Sequence, residues 1–202
     1  MRTAFRRALL LCLPLALAAA SAHATKVGNP APAFTLTDTN GKRHALGDFK
    51  GKVVVLEWFN HDCPFVKKHY DSGNMPALQS RYTAKDVIWL SINSSAPGNQ
   101  GNYAPEKANE LSKEKKSAAT YVLLDPNGTV GKLYGAKTTP HMYVIDGKGV
   151  LRYEGAIDSV SSTDQADIKD ATNYVATAVD AVMAGKTVDP SVTQSYGCAV
   201  KY

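Results

Sequence analysis

The sequence is poor in cysteine, and it lacks a second cysteine where a paired-cysteine motif would carry one. Its 202 residues contain three cysteines, which are too few to build a disulfide scaffold, so an apolar core must stabilise the fold. Three residues after Cys63 stands Val66, and the Cys-x-x-Cys pair is therefore absent. Basic runs interleaved with aromatic residues are lacking too, and we predict no nucleic-acid partner.

An uncharged apolar run occurs at the N-terminus, at Ala8–Ala20, and it is too short for a comfortable membrane span. Arg2, Arg6 and Arg7 precede it, and Ala22-His23-Ala24 follows it as a small-x-small cleavage pattern. This arrangement predicts a secretory signal peptide that is cleaved after Ala24. The competing interpretation is an uncleaved anchor, which would be the protein's one attachment to a membrane.

Cleavage would remove residues 1–24, including Cys12, and leave one domain at 25–202 in a periplasmic or secreted protein. Loss of the three signal arginines lowers the formal net charge from +5 to about +2. The two remaining cysteines form an even pair, which an oxidising compartment allows to become a disulfide.

Alternating strand and helix patterns predict an α/β fold. Two β-branched apolar runs with little alternation suit strands that are buried on both faces, and short extended pieces precede them. The order β-β-β-α-β-α-β-α-β-β-α predicts a mixed central sheet with helices on both faces and an N-terminal β extension. The principal predicted elements are strands Val53–Trp58 and Val87–Ile92, a hairpin of Met142–Asp146 with Val150–Glu154, and a last helix Asp164–Met183.

The segment Asn60–Val66 lies between the first buried strand and a predicted helix that extends to about Tyr82. The helix is expected to be interrupted at Asp71–Asn74, with Asn74 capping its second part. A cysteine at a strand-to-helix turn lies where backbone N–H groups and the helix dipole favour negative charge. We therefore expect the Cys63 thiol to have a pKa below about 8.5.

These features resemble a thioredoxin-superfamily redoxin of the peroxiredoxin-like branch, which is related to alkyl hydroperoxide reductases and thiol-specific antioxidants. The resemblance covers about 27–183 and leaves a C-terminal tail at 184–202. It rests on the strand–turn–Cys63-Pro64–helix pattern and on Thr138-Thr139-Pro140 before the strand His141–Asp146. Further segments of the same kind are Asn60–His69, Ser91–Ser94, Leu133–Ala136 and Tyr153–Ser159.

The resemblance implies a thioredoxin fold and an antioxidant-type thiol oxidoreductase with Cys63 as its catalytic thiol. It also implies that Pro140 is cis and faces Cys63, and that Thr139 offers its backbone to a substrate. The implied partners are a thiol or disulfide substrate, or a peroxide, together with an external thiol reductant, and no cofactor. Typical peroxiredoxins carry Thr or Ser where this chain has Asn60, and Pro where it has Leu56.

Cys198 is the second candidate catalytic residue, since it is the other thiol of the predicted mature chain. It could resolve an intermediate on Cys63, form a static structural disulfide with Cys63, or never approach it. Four residues near Cys63 are candidates for positioning a substrate, and for the aromatic one ordinary core packing is the alternative. They are Asn60, His61, Pro64 and Trp58.

A different class of function would be metal handling, because thiolate and imidazole ligands suit copper or zinc. His61, Cys63 and His141 are the candidate ligands for this alternative. A non-catalytic binding role on the same fold is a further alternative, since a fold does not determine a function.

Overall fold

The computed structural model describes residues 25–202, so the predicted signal peptide lies outside the described residues. A seven-stranded sheet with the order β2-β1-β5-β4-β3-β7-β8 forms the centre of the molecule. A separate two-stranded sheet joins β6 to β9. The strands are β1 (Thr35–Asp38), β2 (Arg43–Ala45), β3 (Val54–Trp58), β4 (Ile88–Asn93), β5 (Tyr121–Leu124), β6 (Thr138–Thr139), β7 (His141–Ile145), β8 (Leu151–Gly155) and β9 (Cys198–Ala199).

The central sheet is mixed. Strands β3, β4 and β5 run parallel, while β7 and β8 continue the sheet beyond β3 as an antiparallel hairpin. On the other side β1 pairs antiparallel with β5, and β2 pairs with β1. The predicted mixed α/β sheet with an N-terminal β extension is confirmed.

Within residues 25–202, five α-helices pack around this sheet. The predicted interruption after the first of them is confirmed, but Asn74 is the first residue of the second helix, and its N-cap is Gly73, with φ of +78°. A glycine is favoured there because a positive φ costs it no steric clash. The helices are α1 (Pro64–Asp71), α2 (Asn74–Thr83), α3 (Pro105–Glu114), α4 (Thr129–Tyr134) and α5 (Tyr174–Met183).

The prediction of one helix over Asp164–Met183 is wrong. A 3₁₀ helix at Gln165–Asp170 is followed by a break, and α5 starts at Tyr174. Asn173 causes the new start, because its side chain accepts a hydrogen bond from Ala176 N at 2.8 Å as an N-cap.

Two apolar layers lie on opposite faces of the sheet, and β3 contributes to both because alternate strand residues point to opposite faces. Val55 and Phe59 pack with α1, α2 and α5. Val54, Leu56 and Trp58 pack with α4 on the other face. Cys63 belongs to the first layer, so the redox candidate and Trp58 are on different sides of the sheet.

Within 25–202, no helix combines the length and the apolar character needed to cross a membrane.

Candidate active site

Cys63 is the N-cap of α1 and follows β3 by a short turn. Pro64 occupies the first turn of the helix, where its ring is compatible with helical φ and its missing N–H costs nothing. Asn60 shapes the turn: its Oδ1 accepts from Asp62 N at 2.9 Å, and its carbonyl accepts from Cys63 N at 3.0 Å. The Asn60 Nδ2 group donates to Gln100 O at 3.2 Å and so ties the turn to the loop after β4.

Thr139 and Pro140 face Cys63 from the other side. The Thr139–Pro140 peptide bond is cis, as the resemblance implies. The Cys63 thiol donates to the Thr139 carbonyl at 3.0 Å. Cys63 is completely buried. The Thr139 backbone therefore lies beside Cys63, next to the cis peptide bond of Pro140.

The C-terminal tail covers this site. Strand β9 pairs antiparallel with β6, and the register aligns Cys198 with Thr139. The Sγ atoms of Cys63 and Cys198 are 2.7 Å apart, and both residues are free thiols. Gly197 permits this approach, because a Cβ atom there would overlap the Thr139 carbonyl, and its φ of +139° suits glycine.

The two thiols have opposite pKa shifts. Burial raises the pKa of Cys63, but donors around its sulfur outweigh burial, so its pKa is below the ordinary value. These donors are the Cys198 thiol and the backbone N–H groups of Val66, at the start of α1, and of Cys198. Burial and the neighbouring Cys63 raise the pKa of Cys198 to about 11. The pair therefore favours a thiolate on Cys63 and a proton on Cys198.

His61 lies close to Cys63 in the chain but is buried between aromatic rings. Its ring contacts Phe59 and Tyr70 edge to face, with centroid separations of 4.9 and 5.7 Å. Burial lowers the pKa of His61 to about 4, so the imidazole is neutral at neutral pH. It therefore supplies no positive charge that would stabilise a Cys63 thiolate.

Trp58 has different surroundings from those expected of a substrate-positioning residue near Cys63, whereas Pro64 directly follows Cys63. Trp58 is fully buried on the α4 face, and its Nε1 donates to Ser94 Oγ at 3.0 Å. This placement corresponds to the core alternative for Trp58. Pro64 is exposed at the start of α1 and serves the geometry of the helix.

The residues of the metal alternative do not converge on a site. Among residues 25–202, no three His, Cys, Asp or Glu side chains are arranged to hold a metal ion. His141 is instead hydrogen-bonded through Nδ1, with Tyr143 Oη at 3.2 Å and Lys137 N at 3.3 Å. The geometry does not favour copper or zinc binding by His61, Cys63 and His141.

Glu57 is a buried acid below the site whose importance sequence reasoning missed. Four side chains donate to its carboxylate at 2.8 to 3.0 Å. Burial raises the pKa of Glu57, and these four donors oppose the rise. A charged residue inside the apolar run Val53–Phe59 was the available signal. The donors are Tyr70, Gln79, Trp89 and Ser91.

A second polar cluster joins the tail to α1 and was also missed. Tyr196, two residues before Cys198, donates its hydroxyl to Asp158 Oδ1. Asp158 lies beside Lys68 and His69 of α1, and all three are buried. Lys68 follows another lysine in α1, and nothing in the sequence signals that it is buried, so only the tertiary fold reveals this contact.

Comparison with known proteins agrees with the geometry. The Redoxin family model matches residues 26–173. A thiol-disulfide oxidoreductase, ResA, of Geobacillus thermodenitrificans is 27% identical over 130 residues, covering 64% of this chain and 68% of ResA. A putative peroxiredoxin, bcp, of Coxiella burnetii is 28% identical over 134 residues, covering 66% of this chain and 82% of the relative.

A solved structure is similar over most of this chain. A hypothetical protein from Sinorhizobium meliloti 1021 is 26% identical, with a TM-score of 0.77, and covers 89% of this chain and 96% of its own. The fold is therefore that of the thioredoxin superfamily, and its relatives support thiol-dependent redox chemistry. With more than half of its residues matched by the family model, the chain belongs to the Redoxin family.

Proposed function

We propose that this protein is an exported thiol–disulfide oxidoreductase in which Cys63 is the nucleophile and Cys198 is the resolving thiol. The observation that carries the proposal is the 2.7 Å separation of the two sulfur atoms beside Thr139. A disulfide requires an S–S distance of about 2.05 Å, so a small movement suffices to join them. The opposite pKa shifts support Cys63 as the attacking thiolate and Cys198 as the protonated thiol.

The reaction begins when the Cys63 thiolate attacks one sulfur of a substrate disulfide. A Cys63–substrate bond forms, the substrate S–S bond breaks, and the other substrate sulfur leaves as a thiolate. Cys198 gives up its proton and attacks the Cys63 sulfur, which releases the second substrate thiol. The protein ends with a Cys63–Cys198 disulfide, and an external thiol reductant returns it to the dithiol.

Disulfide exchange is preferred to peroxide reduction because of Asn60. In typical peroxiredoxins the residue at this position offers a hydroxyl to the peroxide. Here both polar ends of the Asn60 side chain are occupied, by Asp62 N and by Gln100 O. Its amide is therefore engaged in shaping the turn, and no hydroxyl is present.

Equilibration of the purified protein with mixtures of reduced and oxidised glutathione tests the proposal. We expect a reversible Cys63–Cys198 disulfide with a midpoint above about −300 mV, since structural disulfides have lower potentials. Acid quenching, alkylation and peptide mass spectrometry would identify the bond. A midpoint below that value would make the bond a static tether, and independent alkylation of both thiols at every potential would exclude the pair.

Export is supported by the Arg-rich start, the apolar run and Ala22-His23-Ala24. We expect the protein recovered from the periplasm of an expressing bacterium to begin at Thr25. N-terminal sequencing or intact mass would check this. A periplasmic product that retains residues 1–24 would favour the uncleaved anchor instead.

A further inference from the structure

The tail bearing Cys198 is held by contacts on both sides of the cysteine. After Cys198, Val200 N donates to Lys137 O at 3.1 Å, and the hydroxyl of Tyr202 donates to Ala136 O at 2.7 Å. Before Cys198, the side-chain hydrogen bond nearest in the sequence is made by Tyr196. The contacts before Cys198 differ from those after it, because the Tyr196 side chain enters a cluster of buried polar groups.

The cluster that Tyr196 enters consists of Lys68, His69 and Asp158, and we call it the receptor cluster. Asp158 Oδ2 lies 3.7 Å from Lys68 Nζ and 3.8 Å from His69 Nε2. Lys68 Nζ also donates to Val160 O at 3.0 Å and lies 3.3 Å from Ser162 Oγ. The exposed fractions of the Lys68, His69 and Asp158 side chains are 2% or less, so the cluster is a buried polar site that the exchange reaction does not use.

Tyr196 fills this site from the tail. Its hydroxyl is hydrogen-bonded to Asp158 Oδ1 and lies 3.4 Å from His69 Nε2. Its ring lies 6.0 Å from Lys68 Nζ and meets the Phe65 ring edge to face, with a centroid separation of 5.8 Å. Phe65, Lys68 and His69 all belong to α1, the helix whose N-cap is Cys63.

We propose that Tyr196 is a positioning residue, and that its insertion among Lys68, His69 and Asp158 holds Cys198 against Cys63. This inference rests on the proposed function and adds the device that aligns its two thiols. One helix carries both the nucleophile and most of the receptor, so docking of Tyr196 places the following cysteine in register with Thr139. A hydrogen bond to a buried carboxylate is stronger than one between neutral groups, which makes the hydroxyl the main determinant.

Because the receptor cluster is polar, Tyr196 can also leave it when a substrate binds. A substrate must reach Cys63, which is fully buried under the tail. When Tyr196 leaves, water can hydrate Lys68 and Asp158, and this hydration offsets part of the lost contact. An apolar receptor would instead expose hydrocarbon to water and would resist opening.

Tyr196→Phe tests the proposal because it removes the hydroxyl and keeps the ring. In a Cys198→Ser background, where no intramolecular disulfide forms, we expect iodoacetamide to alkylate Cys63 roughly tenfold faster than in the parent. With both cysteines present, we expect disulfide formation to become roughly tenfold less favourable, which raises the midpoint potential by about 30 mV. Tyr174→Phe is the matched control, since the Tyr174 hydroxyl has no hydrogen bond within the described residues, and it should leave both quantities unchanged.

Asp158→Asn supplies the second arm. It keeps an acceptor but removes the charge, and combined with Tyr196→Phe it should add less than the sum of the two single effects, because both changes weaken one contact. Unchanged alkylation and potential in Tyr196→Phe would overturn the proposal. The alkylation arm needs no turnover, so the positioning role and the exchange activity can fail separately.

Discussion

Cys63→Ser is expected to lower the rate of thiol–disulfide exchange by a factor on the order of 10³ or more. A serine hydroxyl is almost entirely protonated at neutral pH and is a poor nucleophile toward sulfur. None of the surrounding donors can compensate, because they stabilise a thiolate that is no longer present. The measurement is the rate of reduction of a disulfide-bonded peptide with a glutathione-based reductant.

Cys198→Ser is the matched control for this prediction, because it makes the same substitution at the partner sulfur. The first attack by Cys63 should persist, and the reaction should then stop at a mixed disulfide between Cys63 and the substrate. Mass spectrometry after acid quenching should detect this species in Cys198→Ser and not in Cys63→Ser. Two results would contradict Cys63 as the nucleophile and Cys198 as the resolving thiol. One is an unchanged exchange rate in Cys63→Ser, and the other is a first mixed disulfide that forms on Cys198 in the unsubstituted protein.

Glu57→Leu is expected to lower the free energy of unfolding by about 4 kcal/mol. Tyr70, Gln79, Trp89 and Ser91 would each lose a buried acceptor, and an unsatisfied buried polar group costs about 1–3 kcal/mol. The four costs do not add fully, because burial of the carboxyl group is itself unfavourable and is removed at the same time. Urea unfolding followed by tryptophan fluorescence or circular dichroism would measure the difference.

Glu106→Leu provides the control, because Glu106 is exposed in the first turn of α3. This substitution should change the free energy of unfolding by less than about 0.5 kcal/mol. If both variants unfold at similar urea concentrations, the hydrogen bonds to Glu57 do not contribute to stability as their geometry implies.

Several features of the fold were predictable because local patterns report them directly. The apolar runs around Val54–Trp58 and Ile88–Asn93 indicate buried strands, since β-branched and aromatic residues are enriched in strands. Pro64 directly after Cys63 indicates the start of a helix, because proline is favoured in the first turn. The helix predicted over Asp164–Met183 failed because the capping contact of Asn173 competes with continuation of the helix.

The candidate site also has features that the sequence predicted and features that it did not. The position of Cys63 at a helix N-terminus could be read from neighbouring residues. The largest contribution that lowers its pKa comes instead from the Cys198 thiol, a contact that only the tertiary structure provides. The sequence did not reveal that Trp58 lies on the far face, because strand alternation separates two faces without telling which face carries the site.

By itself, the sequence determined a mixed α/β redoxin with one cysteine at a helix N-terminus and a second cysteine near its end. These properties depend on composition, local periodicity and turn chemistry, which act over a few residues. Only the tertiary structure decided that Cys198 meets Cys63, that Lys68 is buried, and that Tyr196 binds Asp158. Those contacts join segments separated by tens to more than a hundred residues, and their formation depends on how the sheet, α1 and the tail pack together.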